Sequence, residues 1–331
     1  LPLANFKEIL LDAKRNKYAV PCLIVGNVEM ALGQIIAAEE KKSPIVLAFP
    51  SHVMPEVPCE LYIPFVNKIA QYASVPVAVE LDHGSDFKEI MTCIHNGASA
   101  VMFDGSELDY QENINKTKEF VKIAHSLNVG VEAELGFVGG SMSDEVGKTS
   151  EMTDPDKVVD FITKTDVDAL AVSFGNLHGK YRGEPVLDLE RLRKIASSVD
   201  VPLVMHGGSG LTERDYKNVV ANGISDIHFY SYLAAGVWPD LEKRTRALGR
   251  SPIYHEVINW TIEYYYNEAK KVIDMLDSYN KAAAAPKESI YLDILKKYKK
   301  ESGSAQVNTD SLNVMIREIV NEVLKNVNIK L

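Results

Sequence analysis

The chain has 331 residues, and its 46 acidic and 36 basic side chains leave a formal net charge of −10, a field of the wrong sign for nucleic-acid phosphates, so a nucleic-acid partner is excluded. At 46% hydrophobic and 25% charged, it has the composition of a globular protein with a real core rather than of a disordered chain. No stretch approaches the ~18 uninterrupted apolar residues of a membrane span, and the segment LPLANFKEILLDAKRNKYAV has the pattern of an amphipathic helix rather than a leader, which predicts a soluble, unexported, cytoplasmic protein without a membrane partner.

The chain opens on that helix and then alternates short β-branched runs with amphipathic helical segments. Strands are predicted at 18–25, 44–49, 76–83, 99–104, 129–135, 168–174, 201–206 and 226–231. Between them lie helical patterns such as 28–42, 110–126 and 155–164, the last opened by Thr153, Asp154 and Pro155 as N-cap signals. Strands apolar almost throughout are buried on both faces, which implies a parallel sheet with helical crossovers. Eight such units in about 230 residues point to an α/β fold of the closed (β/α)8 TIM barrel type; the first turn, VGNVEMALG, lacks the glycine fingerprint of an open doubly wound sheet. Cys22, Cys59 and Cys93 are too few and too irregularly spaced for a disulfide framework and are expected to be reduced packing residues.

After the eighth unit the pattern changes to long helices at 253–279 and 290–300, then a polar stretch and an amphipathic segment at 312–327. The expected organisation is a catalytic barrel over 1–250, C-terminal helices over 251–300, and a linker with an amphipathic helix over 301–331. That last helix needs a partner surface for its apolar stripe: its own barrel, a dimer interface, or a foreign surface such as a microcompartment shell.

In a barrel of this kind, chemistry sits at the C-terminal ends of the strands. Three histidines fall there, His83, His178 and His206, each followed by glycine. Neutral imidazoles converging from three strands would bind a borderline divalent cation such as Zn2+ and keep a position open, as a catalytic site requires. His52, His95, His125 and His255 have no such partners and are read as surface or packing residues. Carboxylates gather at the same rim. Asp82 adjoins the first histidine, Asp104 ends the fourth strand, and Glu132 and Glu134 end the fifth, with Glu132 assigned to an internal charge network on the face opposite Glu134. The glycine turns at Gly175–Gly179 and at Gly207-Gly208-Ser209-Gly210 can point backbone N–H groups at one anion, where barrels commonly hold phosphate.

Four ordered motifs, LDHG at 81–84, VEAELG at 131–136, GNLHGKYRGEP at 175–185 and VMHGGSG at 204–210, resemble those of the class II, metal-dependent fructose-bisphosphate and tagatose-bisphosphate aldolases. The resemblance implies that His83, His178 and His206 are zinc ligands, that Asp82 is the catalytic acid and base, and that Glu134 and Asp104 are further or alternative metal residues. Gly179, Gly207, Ser209 and Ser231 would hold a substrate phosphate, with a monovalent cation as a further implied cofactor. The implied activity is metal-assisted, reversible aldol cleavage of a phosphorylated ketose or related sugar acid to dihydroxyacetone phosphate and an aldehyde, in carbohydrate metabolism, by a homodimer or homotetramer.

The departures cluster on the substrate side. Where the family has FNVNN, this chain has Leu23-Ile24-Val25-Gly26-Asn27. Where the family has a pattern near KINIDTD, it reads Asp226-Ile227-His228-Phe229-Tyr230-Ser231-Tyr232. His228 thus replaces a substrate-binding Asn and is expected to contact substrate or cation, Ser231 stands for a phosphate-contacting Thr, and Arg182 stands where Lys is common. Aromatic groups at 230 and 232 are expected to reshape the pocket, and the lost amides to alter its discrimination among hydroxyls. The competing reading is a non-catalytic barrel that keeps metal and phosphate sites for binding or assembly.

Overall fold

The computed structural model describes residues 3–51, 53, 54, 56–141, 150–179, 181, 185–282, 289 and 291. The elements run α1 (Phe6–Asn16), β1 (Val20–Ile24), α2 (Val28–Lys41), β2 (Ile45–Phe49), α3 (Cys59–Ala70), β3 (Val77–Gly84), α4 (Phe87–His95), β4 (Ala100–Phe103), α5 (Tyr110–Ser126) and β5 (Gly130–Leu135). They continue with β6 (Gly140–Ser141), α6 (Pro155–Thr165), β7 (Ala169–Val172), β8 (His178–Gly179), α7 (Leu189–Ser198), β9 (Leu203–Met205), α8 (Glu213–Ala221), β10 (Ile224–Phe229), α9 (Ser231–Leu248) and α10 (Tyr254–Met275). Eight parallel strands close in the order β1-β10-β9-β7-β5-β4-β3-β2, with Cys22 opposite His228 and Leu23 opposite Phe229 at the seam. This is the expected (β/α)8 barrel with C-terminal helices. Among the described residues no helix is long and apolar enough to cross a membrane.

Strand alternation sorts the core into two layers. Leu23, Leu47, Val79, Val101 and Val131 face outward and pack beneath the helices. Cys22, Ala48, Ala78, Ala100, Ala169 and Ala171 face inward, where α1 closes the N-terminal end of the barrel with Phe6, Leu10 and Ala13. The inner layer is rich in alanine, which leaves room for larger polar side chains from the same strands.

Helix starts follow from side-chain caps. Asn27 accepts from the Met30 N–H at 2.9 Å, Asp154 accepts from the Asp156 N–H with Pro155 at the first helical position, and Thr212 and Asp215 form a reciprocal capping box. The eighth barrel strand lies two residues earlier than expected, at Ile224–Phe229, because Ser231 already opens α9. The pairing of β6 with β8, Gly140 opposite His178 and Ser141 opposite Gly179, was not legible, since two residues carry no period. The helices expected at 290–300 and 312–327, with the docking surface they were to use, lie outside the described residues apart from Tyr291.

Helix α10 lies against α2 and reaches its backbone at Gly33. A Cβ there would stand 2.5 Å from the Ile262 carbonyl oxygen and 2.9 Å from the Tyr266 nitrogen, so the helices could not keep their separation. Gly33→Ala should therefore cost about 1–3 kcal/mol despite alanine's better helix propensity. Thermal unfolding would register it, and an unchanged midpoint would show that α10 can shift without penalty.

Candidate active site

The three expected histidines converge. One ring nitrogen from each of His83, His178 and His206 lies within 4.8 Å of the others. The opposite nitrogens are anchored: His83 Nδ1 lies 3.0 Å from Asp104 Oδ2, His206 Nε2 lies 2.8 Å from Glu132 Oε1, and His178 Nδ1 lies 3.1 Å from the Val138 carbonyl oxygen. An acceptor beyond each ring turns the inner nitrogen toward the common centre, where it offers a lone pair once free of a proton, which is how proteins orient imidazoles around a cation. The inner nitrogens of His83 and His206 approach to 2.9 Å. The donor set therefore fits a divalent ion of borderline character.

Backbone geometry delivers two neighbouring side chains to the same place. A regular strand sends successive residues to opposite faces, yet Asp82 and His83 both line one pocket. The register shifts between Leu81 and Gly84, and His83 takes φ of +113°, a region costly for a residue with a side chain, by about 1–3 kcal/mol. The bulge turns both groups inward.

Electrostatics at the rim separates the groups. Burial opposes a charge on His83, but Asp82, Asp104 and Glu134 outweigh it and push the imidazole up to about 10. For Asp104, burial is overcome by the His83 and Ser106 hydrogen bonds, which hold it down at about 2. Burial and the neighbouring His83 charge push His178 down to about 4. Burial and Asp104 raise Glu134 to about 8, while its Oε1 accepts from the Val138 N–H at 2.9 Å. Without an ion, His83 thus carries a proton at neutral pH, and a cation must displace it. Ion binding should release at least one proton, and affinity should rise about tenfold per pH unit through neutrality. Calorimetry in buffers of different ionisation enthalpy measures that number, and a value of zero would show His83 to be neutral beforehand.

A pocket opens over the histidines, lined by Ile24, Asp82, His228 and Tyr230 together with Gly179, Gly207, Ser209 and Ser231. His228 Nδ1 donates to Asp82 Oδ1 at 3.1 Å. The turn after β9 depends on glycine: Gly207 has φ of +66°, and a Cβ there would meet the Leu177 carbonyl oxygen at 2.2 Å. Ser231 begins α9 and the Tyr232 N–H donates to Ser209 Oγ at 3.1 Å, so Ser209 and Ser231 of the pocket stand at a helix N-terminus, a favourable place for a phosphate.

Asp82, His83, His178, His206, His228, Gly179, Gly207, Ser209 and Ser231 are thus brought together. Glu134 and Asp104 stand one step further out, where they form a second candidate donor group with His83. Arg182 and His52 lie outside the described residues. Of the histidines expected to be apart, His95 and His255 are exposed and His125 pairs with Asp168 at 2.8 Å. Two expectations are corrected. Glu132 shares the inner face with Glu134, since residues two apart on a strand must point the same way, and it holds His206. Tyr232 does not shape the pocket: its hydroxyl donates to Glu268 on α10 at 2.8 Å.

Sequence reasoning missed Glu80 and Asp226, fully buried on β3 and β10. It also missed Asn176, whose Nδ2 donates to the His206 carbonyl oxygen at 2.9 Å and whose Oδ1 accepts from the Phe174 N–H at 2.8 Å, tying the β7 turn to the β9 end. Acids two residues before rim groups, inside otherwise apolar strands, were the available signal for the first two.

Comparison with known proteins follows the same lines. The profile of class II fructose-bisphosphate aldolase matches residues 4–281. The Escherichia coli protein YdjI is 39% identical over 232 residues, 70% of this chain and 84% of its own. The crystal structure of the YdjI aldolase superposes with a TM-score of 0.75 at 31% identity, covering 85% of this chain and 100% of that one. Fructose-bisphosphate aldolases of Staphylococcus aureus strain Mu50 and Geobacillus stearothermophilus are each 36% identical, covering 69% of this chain and 81% and 80% of theirs. With its barrel, its three converging histidines and a match that runs through nearly the whole described chain, this protein belongs to the class II fructose-bisphosphate aldolase family.

Proposed function

We propose that the protein is a metal-dependent aldolase that cleaves a phosphorylated ketose or related sugar acid reversibly to dihydroxyacetone phosphate and an aldehyde, in a pocket altered from that for fructose bisphosphate. The observation that carries this reading is the Asp82 carboxylate lining one pocket with His83, His178 and His206. Those histidines would hold Zn2+ or another divalent ion, with Glu134 and Asp104 as alternative ligands through the second donor group. A bound ion supplies Lewis-acid stabilisation of the negative charge left beside the carbonyl when the carbon–carbon bond breaks.

The remaining steps fall to the chain. Asp82 takes the proton from the hydroxyl that becomes the aldehyde and returns it in the reverse direction. His228, donating to Asp82 Oδ1, fixes the carboxylate and also presents its ring to the pocket. Gly179, Gly207, Ser209 and Ser231 with the start of α9 hold the phosphate, and a monovalent cation beside it belongs to the same reading. Ile24 and Tyr230 line the pocket where amides are lost; the site forgoes hydrogen bonds there and gains apolar and aromatic surface, which favours a less hydroxylated portion of substrate.

The test is exchange of dihydroxyacetone phosphate protons with solvent by the intact protein, before and after divalent ions are removed, followed by turnover with a panel of aldehydes. Metal-dependent exchange is expected. A protein that binds ions but catalyses neither reaction would be the non-catalytic barrel. Homodimer or homotetramer formation is part of the proposal, supported by the exposed apolar side chains Leu61, Trp238, Ile253 and Tyr254. Docking of segment 312–327 to a partner such as a microcompartment shell rests on its amphipathic sequence pattern.

A further inference from the structure

Below the pocket, the barrel interior holds an acidic layer that the proposed reaction does not use. Glu80, Glu132 and Asp226 are fully buried. Each sits two residues before a rim group on its strand, before Asp82, Glu134 and His228 respectively, and therefore on the same inner face one step deeper. Cys22, also fully buried, stands opposite His228 across the β1–β10 seam. Among the described residues none of the three acids is paired with a lysine or arginine. Glu132 reaches His206 through Oε1, and the Cys22 thiol lies 4.0 Å from Glu80 Oε2.

Several atoms here have no partner. Neither oxygen of Asp226 makes a hydrogen bond, and the same holds for Glu80 Oε1, Glu132 Oε2 and His228 Nε2. The adjacent Ile227 N–H favours the Asp226 charge but lies off hydrogen-bond geometry. His228 uses Nδ1 on Asp82, which leaves Nε2 with the lone pair, 3.9 Å from Glu132 Oε2. Five buried polar atoms without partners are costly unless something meets them.

Their spacing suits a cation. Donor atoms of Glu80, Glu132 and His228 lie within 4.8 Å of one another, and so do those of Cys22, Asp226 and His228. That is the scale of a coordination sphere, in which bonds of about 2.0–2.3 Å separate donors by roughly 3–4.5 Å. We propose that Glu80, Glu132, Asp226, His228 and Cys22 form a second, fully buried divalent-cation site beneath the three-histidine site, with Glu132 shared between them through its two oxygens. Mixed carboxylate, imidazole and thiolate donors select a borderline ion of the zinc or cobalt type over magnesium or calcium. The ion would neutralise the acidic layer and hold His228, and through it Asp82. It does not require the rim site to be catalytic.

Ion content of the full chain, loaded with Zn2+ or Co2+ and dialysed, provides the test. The expected result is two ions per chain, falling to one in Asp226→Asn, and also to one in His178→Ala, which empties the rim site instead. The cobalt-loaded protein should show a thiolate-to-cobalt absorption band, since Cys22 is the sole thiol in either donor set. The band should persist in His178→Ala and vanish in Cys22→Ser. One ion per chain, lost on His178→Ala, without a thiolate band would overturn the proposal and show the acids to be held by protons. Thermal unfolding separates folding defects from site loss: with ions present, Asp226→Asn should melt below the wild type and match it in chelator. A variant that melts higher in both conditions would also overturn it, because relief of an unpaired buried charge would then be the whole effect.

Discussion

Asp82→Asn should lower aldol turnover about 1,000-fold while the ion stays bound. The size follows from the role, since a positioned acid–base group contributes roughly 100- to 10,000-fold. The retained ion follows from the geometry, because Asp104, Glu132 and the Val138 carbonyl anchor the three imidazoles, while Asp82 Oδ1 stands 3.6 Å from His83 Nε2. Asparagine keeps an oxygen for the His228 Nδ1–H, so the pocket should hold its shape and KM should move little. Metal analysis alongside kinetics checks both halves. Loss of the ion in this variant would make Asp82 a structural member of the cation site instead.

His206→Ala should abolish exchange altogether, through the ion. Loss of an outer hydrogen-bonding partner costs roughly 10- to 100-fold in metal affinity, and removing a ligand should cost more than the upper figure. Glu132→Gln offers the graded comparison: its amide oxygen can still accept from His206 Nε2, so affinity should fall within that 10- to 100-fold range and activity should return at high ion concentration. His206→Ala should not be rescued that way. Equal behaviour of the two variants would mean that His206 acts by packing, which its 1% exposure makes the competing explanation.

The barrel was legible because its strands are apolar on both faces and recur at regular intervals, and because Asp154 and Pro155 mark a helix start. His83, His178 and His206 were legible as strand-end residues followed by glycine. The bulge at His83 was not: positive φ at a histidine is a tertiary outcome, imposed where two adjacent side chains are both needed inside. Glu80 and Asp226 were overlooked because one acid in an apolar strand reads as a boundary or an exception, and only closure of the barrel shows that the exceptions from β3, β5 and β10 meet. Tyr232 illustrates the opposite error, where a residue one step along from the pocket was assigned to it before the start of α9 turned it toward Glu268.

The seam between β1 and β10 carries a cost in time. It joins Val20 to Asp226, residues about 200 positions apart, so the first strand cannot find its last neighbour until almost the whole barrel has been made. At ribosomal speeds of about 5–20 residues per second, that wait is roughly 10–40 s, during which β1 presents an open edge of the kind that invites aggregation. Through the same interval Glu80 and Glu132 can stay hydrated and charged. Arrival of β10 removes the exposed edge and the water together, which makes dehydration of the acids the last toll on the folding route rather than the first.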